Sequence, residues 1–396
     1  MTTLTASDIA ALGRPEEAAF LEQCRPLADQ PLRLVERLRG RFTPDQAREI
    51  AGFIEARVKA PAKFSRGGEL LFTPLLLEQA TSEVVADFKG RTYFAGLDTA
   101  DLCCGAGGAT LGLARHCPHV TAVDRDPLAL ALARHNLGVY GLADRCAFVE
   151  AELPAGIPPA AAYHFDPSRR EGAGQRTRDL YEPPLASVAA ILALSPDVLV
   201  KVSPLHPIDP DAGEYAHDII ALHGEVKEIL LGYGRFNTGT VRAIFLPSGT
   251  MLSTDMEGST AVAKGVGAFV FEPGTAAVKG GLVPQVAHRH GLQFLAPGAR
   301  YLTGDTPAGA DYMTPFKVRD VMPISYKNLN RYFKAAGVGH LAIKCKDSPV
   351  KSAAISRELH LRGPAAAVLF YVEPPEGARL FIIAEPVQDG NATGAE

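Results

Sequence analysis

The sequence has no tryptophan, only five methionines and only six cysteines in 396 residues. None of the cysteines forms a C-x-x-C pair, which argues against a zinc site and against a disulfide framework. A reduced, cytoplasmic environment without a bound metal is therefore expected. No apolar run approaches the roughly 18 residues of a membrane-spanning helix. The start of the chain also lacks the basic segment of a signal peptide. These absences argue against a membrane protein and against a small secreted scaffold.

Charge is unevenly distributed along the chain. The formal net charge of −4 gives no general sign of nucleic-acid binding. The segment from Lys317 to Arg362, however, holds ten Lys or Arg and three Asp or Glu, a local net charge of +7 that leaves −11 for the rest. This asymmetry predicts a basic surface able to contact the phosphates of RNA. The alternative is an ordinary solvated surface with scattered lysines.

The apolar spacing divides the chain into three regions. Residues 1–90 repeat apolar side chains every three or four positions, which predicts a helical region. Within 91–250 strand-like runs alternate with helical runs, which predicts parallel βαβ units and an α/β fold. Its last two runs, 224–234 and 240–249, are joined by the short turn RFNTG and are predicted to pair as a final antiparallel hairpin. After a Gly-rich linker, residues 265–388 are predicted to form a separate α+β domain.

The stretch DLCCGAGGAT follows a predicted strand and precedes a predicted helix, as in a nucleotide-binding turn. The dinucleotide pattern G-x-G-x-x-G would begin at Gly105, but it meets Thr110 where its third glycine should stand. The pattern D-x-G-x-G-x-G fits better and aligns with Asp101, Cys103, Gly105 and Gly107, with cysteine in place of the first glycine. An acid at 101 can bind an amino group, whereas it would repel a pyrophosphate. The pattern favours S-adenosylmethionine over NAD, with a helix cap as the alternative role for Asp101.

A second acid lies at the end of the next predicted strand. Asp124 follows the glycine turn by about 20 residues, where an acid is expected to bind the two ribose hydroxyls of either cofactor. Arg125 is counted with it as a cofactor-binding residue. Asp126 is instead predicted to cap the following helix.

At this point the sequence resembles a known family. Residues 101–152, including the helix end HNLGVYG, resemble the cofactor half of the RNA cap guanine-N2 methyltransferases. Across most of 50–387 the chain is similar to bacterial class I methyltransferases with a C-terminal THUMP-like domain, through pieces such as LFTPLLLEQATSE, HFDPSRR and LVKVSP. The resemblance implies a Rossmann-like class I methyltransferase sheet and S-adenosyl-L-methionine as cofactor. It also implies RNA methylation, because THUMP domains are RNA-binding modules of tRNA-modifying enzymes.

The resemblance also assigns residues to the ends of later strands. Glu152 ends the third strand, where methyltransferases often use an acid to accept the adenine N6 hydrogen, and Glu150 is a near competitor. Surface exposure is the alternative for both acids.

HFDPSRR occupies the place of the D-P-P-Y motif of amine methyltransferases, in which the acid accepts an amine N–H and the ring stacks on a base. Asp166 and Pro167 keep the acceptor part, while Arg169 replaces the aromatic residue. Asp166 is also counted among the cofactor-binding residues. Arg169 or Arg170 could stack on a base or hold a phosphate. Lys201 ends the fifth strand on the same edge and is a further candidate for binding substrate. The alternative is that Asp166 caps a turn and the arginines are solvated.

The leading hypothesis is an enzyme, an S-adenosylmethionine-dependent methyltransferase that modifies a base nitrogen in tRNA or rRNA. Its alternatives are a methyltransferase for a small molecule or a protein, and a catalytically weak RNA-binding protein that binds the cofactor. C5 methylation needs a nucleophilic cysteine after the fourth strand, and the only cysteine beyond Cys146 is Cys345. Ribose O-methyltransferases use an Asp and a Lys together with a second Lys and a Glu. The second Lys and the Glu cannot be identified in this sequence, which argues against ribose methylation. Cap methylation is disfavoured because the cap enzymes use a tryptophan at the D-P-P-Y position, and this sequence has no tryptophan.

Overall fold

The computed structural model describes residues 4–169, 181–211, 213–346, 350–372 and 379–387. The chain divides into two compact units. The first is Met1–Ile220 with Lys227–Gly239, and the second is Ala221–Val226 with Thr240–Glu396. The three-domain division drawn from the sequence stays a prediction.

The first unit begins with helices that start at prolines and polar caps. Thr43, for example, accepts from the backbone of Gln46, whose side chain in turn accepts from the backbone N–H of Thr43. The helices before the first strand are α1 (Ala6–Leu12), α2 (Pro15–Cys24), α3 (Pro31–Leu38), α4 (Pro44–Lys59), α5 (Pro74–Gln79) and α6 (Glu83–Lys89).

The helical region shares one core with the layer that follows it. Apolar residues of α1 to α5 pack in the same cluster as Leu111, Leu128 and Leu132. The buried Asn136 amide accepts from the N–H of Leu71 and donates to the carbonyls of Leu71 and Ala106. Asn136, from the segment HNLGVYG, thus links the end of the helical region to the glycine turn by hydrogen bonds. We call these three hydrogen bonds the Asn136 clamp.

The sheet of this unit is mostly parallel, as predicted. Its elements are β1 (Thr99–Leu102), α7 (Gly108–His116), β2 (Val120–Asp124), α8 (Pro127–Val139), β3 (Cys146–Glu150), β4 (Ala162–Phe165), β5 (Ser168–Arg169), β6 (Tyr181–Glu182), α9 (Val188–Leu192), β7 (Val198–Val202), β8 (Ala216–Leu222) and β9 (Glu225–Gly232). The strand order is β8-β9-β7-β4-β1-β2-β3. β1 to β4 and β7 pair in parallel, whereas β9 runs antiparallel to β7.

The predicted pairing of 224–234 with 240–249 is wrong, although the sheet does end in antiparallel strands. β9 lies between β7 and β8, and the later run pairs with the strand that follows it. β8 was missed because His217 and Asp218 interrupt its apolar pattern. Both are buried, and Asp218 accepts a hydrogen bond from the Tyr93 hydroxyl at 2.6 Å.

The second unit contains the antiparallel pair β10 (Val241–Leu246) and β11 (Thr250–Ser253). Its further strands are β12 (Phe269–Pro273), β13 (Gln293–Phe294), β14 (Leu302–Gly304), β15 (Met313–Pro323), β16 (Val338–Lys344), β17 (Ala365–Val372) and β18 (Leu380–Pro386), in the order β13-β14-β12-β15-β18-β17-β16. The helices are α10 (Thr275–Lys279), α11 (Val283–His290), α12 (Tyr326–Ala336) and α13 (Ser352–Arg357). β14 and β15 were not predicted, since charged residues alternate along β15.

Candidate active site

A cleft of about 730 Å³ opens where the parallel strands of the first unit end. Ligands of open α/β sheets bind at this edge, because the carboxyl ends of neighbouring strands meet there. The cleft brings together these residues predicted from the sequence: Asp101, Cys103, Gly105, Asp124, Arg125, Glu152, Asp166, Pro167 and Lys201.

The glycine turn and the end of β2 are joined by the side chain of Asp124. Its Oδ2 accepts from the N–H of Gly105 at 2.8 Å, and its Oδ1 accepts from the N–H of Asp126 at 3.0 Å. Burial raises the pKa of Asp124, although these backbone donors oppose the shift. A carboxylate offers about four lone-pair positions, so Asp124 can still accept from a pair of ligand hydroxyls.

Gly107 is not among the residues that line the cleft, and cofactor binding by Gly107 stays a prediction. It has φ +84° at the start of α7, and a Cβ there would lie 2.8 Å from Cδ1 of Leu137. The structure therefore gives Gly107 a packing role between the glycine turn and α8.

Cys103 lines the cleft with a left-handed backbone, φ +65°. Burial raises its pKa strongly, and the neighbouring carboxylates of Asp124, Asp166 and Asp101 raise it further. The thiol is therefore protonated at neutral pH and is a poor nucleophile.

Asp101 is fully buried, and both of its carboxylate oxygens have partners. Thr110 Oγ1 donates to Oδ2 at 2.6 Å, and His164 Nδ1 lies 2.7 Å from Oδ1. The Lys89 ammonium lies 3.1 Å from His164 Nε2, and it can only donate. Nε2 must therefore accept, so that Nδ1 carries the proton given to Asp101.

The chain of contacts continues to Glu228 on β9, which lies 3.0 Å from Lys89 with both side chains buried. We call Thr110, Asp101, His164, Lys89 and Glu228 the buried network. It lies behind the glycine turn, and of its members only Asp101 was predicted from the sequence to be functional. Cofactor binding by Asp101 stays a prediction.

The rim near β2 carries a second group of charges. Arg125 Nη1 lies 2.7 Å from Glu182 Oε1 and 3.6 Å from Glu152 Oε1. Glu152 is largely exposed and lines the cleft, while Glu150 does not line it. Arg125 thus connects the ends of β2 and β3 with β6.

Asp166 and Lys201, which also line the cleft, form an ion pair. Lys201 Nζ donates to Asp166 Oδ2 at 2.8 Å. Burial alone would lower the pKa of Lys201, but the carboxylates of Asp166 and Glu228 outweigh it and raise the pKa above its ordinary value. Lys201 is therefore an ammonium ion that orients the carboxylate of Asp166.

Two arginines, Arg169 and Arg170, were predicted to stack on a base or hold a phosphate. The backbone of Arg169 pairs with Tyr181 in the β5–β6 ladder, and its side chain and Arg170 lie outside the described residues. Tyr181 itself lines the cleft, and its hydroxyl accepts from the N–H of Ser203 at 3.0 Å. No signal in the sequence linked this aromatic residue to Asp166, because the intervening segment has no strand pattern.

A further wall of the cleft comes from residues 78–81, at the break between α5 and α6. The helical region predicted for residues 1–90 is interrupted here, and Lys63 Nζ donates to the carbonyls of Leu77, Glu78 and Ala80 at 2.8, 2.8 and 3.0 Å. These bonds satisfy the end of α5. Burial, together with Lys201 and Lys227, lowers the pKa of Lys63 to about 8.

Comparison with known families agrees with this geometry. The family model described as RNA cap guanine-N2 methyltransferase matches residues 98–166, and the model described as THUMP domain-like matches 313–386. An uncharacterized S-adenosylmethionine-dependent methyltransferase of Mycobacterium tuberculosis is 31% identical over 309 residues, which are 76% of this chain and 84% of the relative. The chain belongs to the S-adenosylmethionine-dependent methyltransferases.

Two further likenesses are more limited. The crystal structure of a candidate methyltransferase from Porphyromonas gingivalis W83 covers 98% of this chain and 100% of its own at a TM-score of 0.77, and with 22% identity it shows the fold alone. The trimethylguanosine synthase of Schizosaccharomyces pombe is 37% identical over 54 residues, 13% of this chain and 22% of that protein.

The cofactor is S-adenosylmethionine, and the cleft suits it. An adenosyl amino acid needs hydrogen-bond acceptors for its ribose hydroxyls and polar partners for its amino-acid end. Asp124 offers the first, and the wall holds the Thr81 hydroxyl, which has no hydrogen-bond partner in the described part of the chain. No cluster of metal-binding side chains occurs among the described residues, nor any helix suited to crossing a bilayer.

Proposed function

We propose that this methyltransferase methylates a nitrogen of an RNA base, with Asp166 as the residue that receives the acceptor N–H. The ion pair between Asp166 and Lys201 carries this proposal. Lys201 occupies Oδ2, whereas Oδ1 has no hydrogen-bond partner within the described ranges. Asp166 lines the cleft, in which Pro167 and Tyr181 supply apolar surface for a planar ring.

S-adenosylmethionine supplies an electrophilic methyl group when bound. An aromatic amine that gains a methyl group becomes strongly acidic, so its surplus proton passes to a carboxylate without a strong base. A ribose hydroxyl would need a much stronger base, and Lys201 is held in its protonated form. The protonated thiol of Cys103 likewise does not suit C5 methylation. Nitrogen is the acceptor that these groups favour.

The residues at the strand ends would hold the cofactor. Gly105 and Cys103 would supply backbone, Asp124 would accept from the ribose hydroxyls, and Arg125 with Glu152 would border the adenine. Catalysis then consists mainly of positioning, because methyl transfer is an in-line displacement. Lys201 contributes by fixing the carboxylate of Asp166.

RNA as the substrate is supported by the two family models and by the trimethylguanosine synthase relative. A basic stripe on α12 adds to this support. Lys327, Arg331 and Lys334 are exposed at helical spacing, opposite the buried Leu329 and Phe333. None of the three has an ion-pair partner in the portion of the chain that is described.

Other lysines of the predicted basic segment are already engaged. Lys344 and Lys346 both contact Glu272, the latter at 2.8 Å between Nζ and Oε1. We therefore assign phosphate contacts to the α12 stripe and exclude this pair. Reversing the three stripe charges to Glu should weaken RNA binding and reduce the slope of log affinity against log salt by about 2. Reversing the exposed Arg33, Arg39 and Arg48 provides a control with the same change in net charge.

The acceptor is tested by mass spectrometry of tRNA and rRNA nucleosides from cells with and without the protein. A methylated base should disappear without the protein and return with the wild-type gene but not with Asp166→Asn. Transfer of labelled methyl from the cofactor to protein or small molecules, with none to RNA, would contradict the proposal. Absence of any turnover on unmodified RNA would point to a cofactor-binding protein without catalysis.

A further inference from the structure

Glu228 and Lys201 lie on the same face of two neighbouring strands. Lys201 pairs with Leu230 in the antiparallel ladder between β7 and β9, and Glu228 precedes Leu230 by two residues. Side chains two residues apart on a strand point to the same face of the sheet, as do directly paired residues. Glu228 and Lys201 are therefore diagonal neighbours, which lie about 7–8 Å apart and are within reach of each other's long side chains.

Glu228 is buried and interacts with two lysines. It is 2% exposed and is not among the residues that line the cleft. Its Oε1 lies 3.0 Å from Lys89 Nζ. Burial opposes the charge of Glu228, but the lysines outweigh burial, Lys89 more than Lys201, and lower its pKa. The carboxylate is therefore ionised, and its charge acts on Lys201 with little screening by solvent.

Lys201 needs such a partner to keep a fixed position. Its side chain is 17% exposed, and Nζ donates to Asp166 Oδ2 at 2.8 Å. A lysine has a flexible four-carbon stem and three equivalent donors, so a single contact leaves it several conformations. A second carboxylate on the same face of the sheet would restrict these conformations and, through them, the orientation of Asp166.

We propose that Glu228 is a positioning residue for methyl transfer, which holds the Lys201 side chain in place so that Nζ stays at Asp166. Glu228 acts through Lys201 and does not contact the substrate. This inference rests on the proposed role of Asp166 as the group that receives the acceptor N–H. It gives the pair of Lys89 and Glu228 a role in the reaction besides its contribution to stability.

The test uses the full-length protein in which Lys89→Met and Glu228→Gln together replace the buried pair by neutral residues of similar size. Lys89→Met alone is the matched control, because it also lacks the ion pair but keeps the charge of Glu228. Loss of the Lys89 cation alone should raise the pKa of Lys201, so a lower pKa in the double variant reports Glu228. The other charged or titratable groups around this site are the same in every variant: Asp101, His164, Asp166, Lys63 and Lys227.

Nuclear magnetic resonance of protein labelled with carbon-13 at the lysine Cε measures the protonation of Lys201 without any substrate, and Lys201→Met identifies its signal. In the wild type and in Lys89→Met, Lys201 should titrate above its ordinary pKa of 10.5. In the double variant the midpoint should be lower by about one pH unit or more. Equal midpoints in the double variant and Lys89→Met, or ammonium signals in all of these proteins up to pH 10.5, would overturn the proposal.

Glu228→Gln alone gives a second route to the same measurement. Its shift should be at least as large, because the Lys89 cation stays and also lowers the pKa of Lys201. Thermal unfolding of each variant verifies that the compared proteins are folded.

Transfer of labelled methyl to RNA from cells that lack the protein tests the consequence for the reaction. At saturating cofactor, the decline in rate on the alkaline side should begin about one pH unit lower in the double variant, because Lys201 loses its proton earlier. The same alkaline decline in the double variant and in Lys89→Met would overturn the positioning role. A wild type that transfers no methyl to RNA, or gains rate as Lys201 loses its proton, would contradict the proposed function instead, and the resonance midpoints would still decide whether Glu228 controls Lys201.

Discussion

In the buried network of the first unit, Lys89 and Glu228 form an ion pair whose side chains are 1% and 3% exposed, whereas on α12 Lys327, Arg331 and Lys334 lie in solvent. The buried charges each have a fixed partner, so the removal of one leaves another uncompensated. Exposed charges are screened by salt, and in the proposed function those of α12 act together on a polyanion. The buried charges thus fix geometry, whereas the exposed charges are available to attract a ligand.

The largest effect is expected from Asp166→Asn, which keeps the shape of the side chain and removes its charge. The rate of methyl transfer should fall about 10²- to 10⁴-fold, because the acceptor proton loses its receiving group. The Kd for S-adenosylhomocysteine should stay within a few-fold of the wild type. A loss of cofactor affinity as large as the loss of rate would mean that Asp166 mainly holds the cofactor.

Lys89→Met should have the largest effect on folding. It leaves Glu228 buried without its cation and removes the donor to His164, so the free energy of unfolding should fall by about 3–5 kcal/mol. Urea unfolding measures this change.

Adding Glu228→Gln to Lys89→Met should restore part of the loss, because the uncompensated charge is then gone. A single-variant loss below about 1 kcal/mol would contradict the division between buried and exposed charges.

Glu272 in the second unit is intermediate in burial between the Lys89–Glu228 pair and the exposed charges of α12. Burial opposes its charge, but Lys344 and Lys346 outweigh burial and lower its pKa. A lowered pKa stabilises the fold above the unfolded pKa, near 4.5, and this contribution is lost as pH falls through the folded value. Glu272→Gln should therefore reduce stability by about 1 kcal/mol at pH 7, since the lysines are partly exposed.

The difference between Glu272→Gln and wild type should vanish in strongly acidic solution, which unfolding curves at several pH values would measure. A difference that persists at low pH would indicate a packing effect.

The smallest effect on stability is expected from substitutions of Cys103, which change the backbone strain of the turn and no formal charge. Cys103→Gly and Cys103→Ala both remove the thiol, but only glycine adopts φ +65° without strain. The glycine variant should be more stable than the alanine variant by about 1 kcal/mol in urea unfolding. Equal stabilities would argue that the turn relaxes.

Part of the site could be predicted from the order of strands and acids. Asp124, Asp166 and Lys201 lie at or next to the carboxyl ends of strands of one sheet, and parallel strands end at a common edge. Their meeting in one cleft therefore follows from the alternating pattern. The glycine turn was placed correctly for the same reason.

The buried network could not be predicted, because its contacts join distant positions through unusual burial. Lys89 and His164 are 75 residues apart, and a lysine at a helix end normally lies in solvent. In the sequence, Thr110 stood out only as a departure from the dinucleotide glycine pattern, although its hydroxyl donates a hydrogen bond to Asp101. The pairing of β9 was missed for a related reason, since the buried polar residues of β8 concealed a strand.

The Asn136 clamp sets a limit on how the protein can be shortened. A fragment that begins at residue 91 would omit Lys63, Thr81 and Lys89, which belong to the cleft wall and to the buried network. It would also leave the amide of Asn136 without Leu71. The smallest piece that retains the cofactor site must therefore include the preceding helices, and a search for an isolated catalytic fragment should start near the beginning of α4.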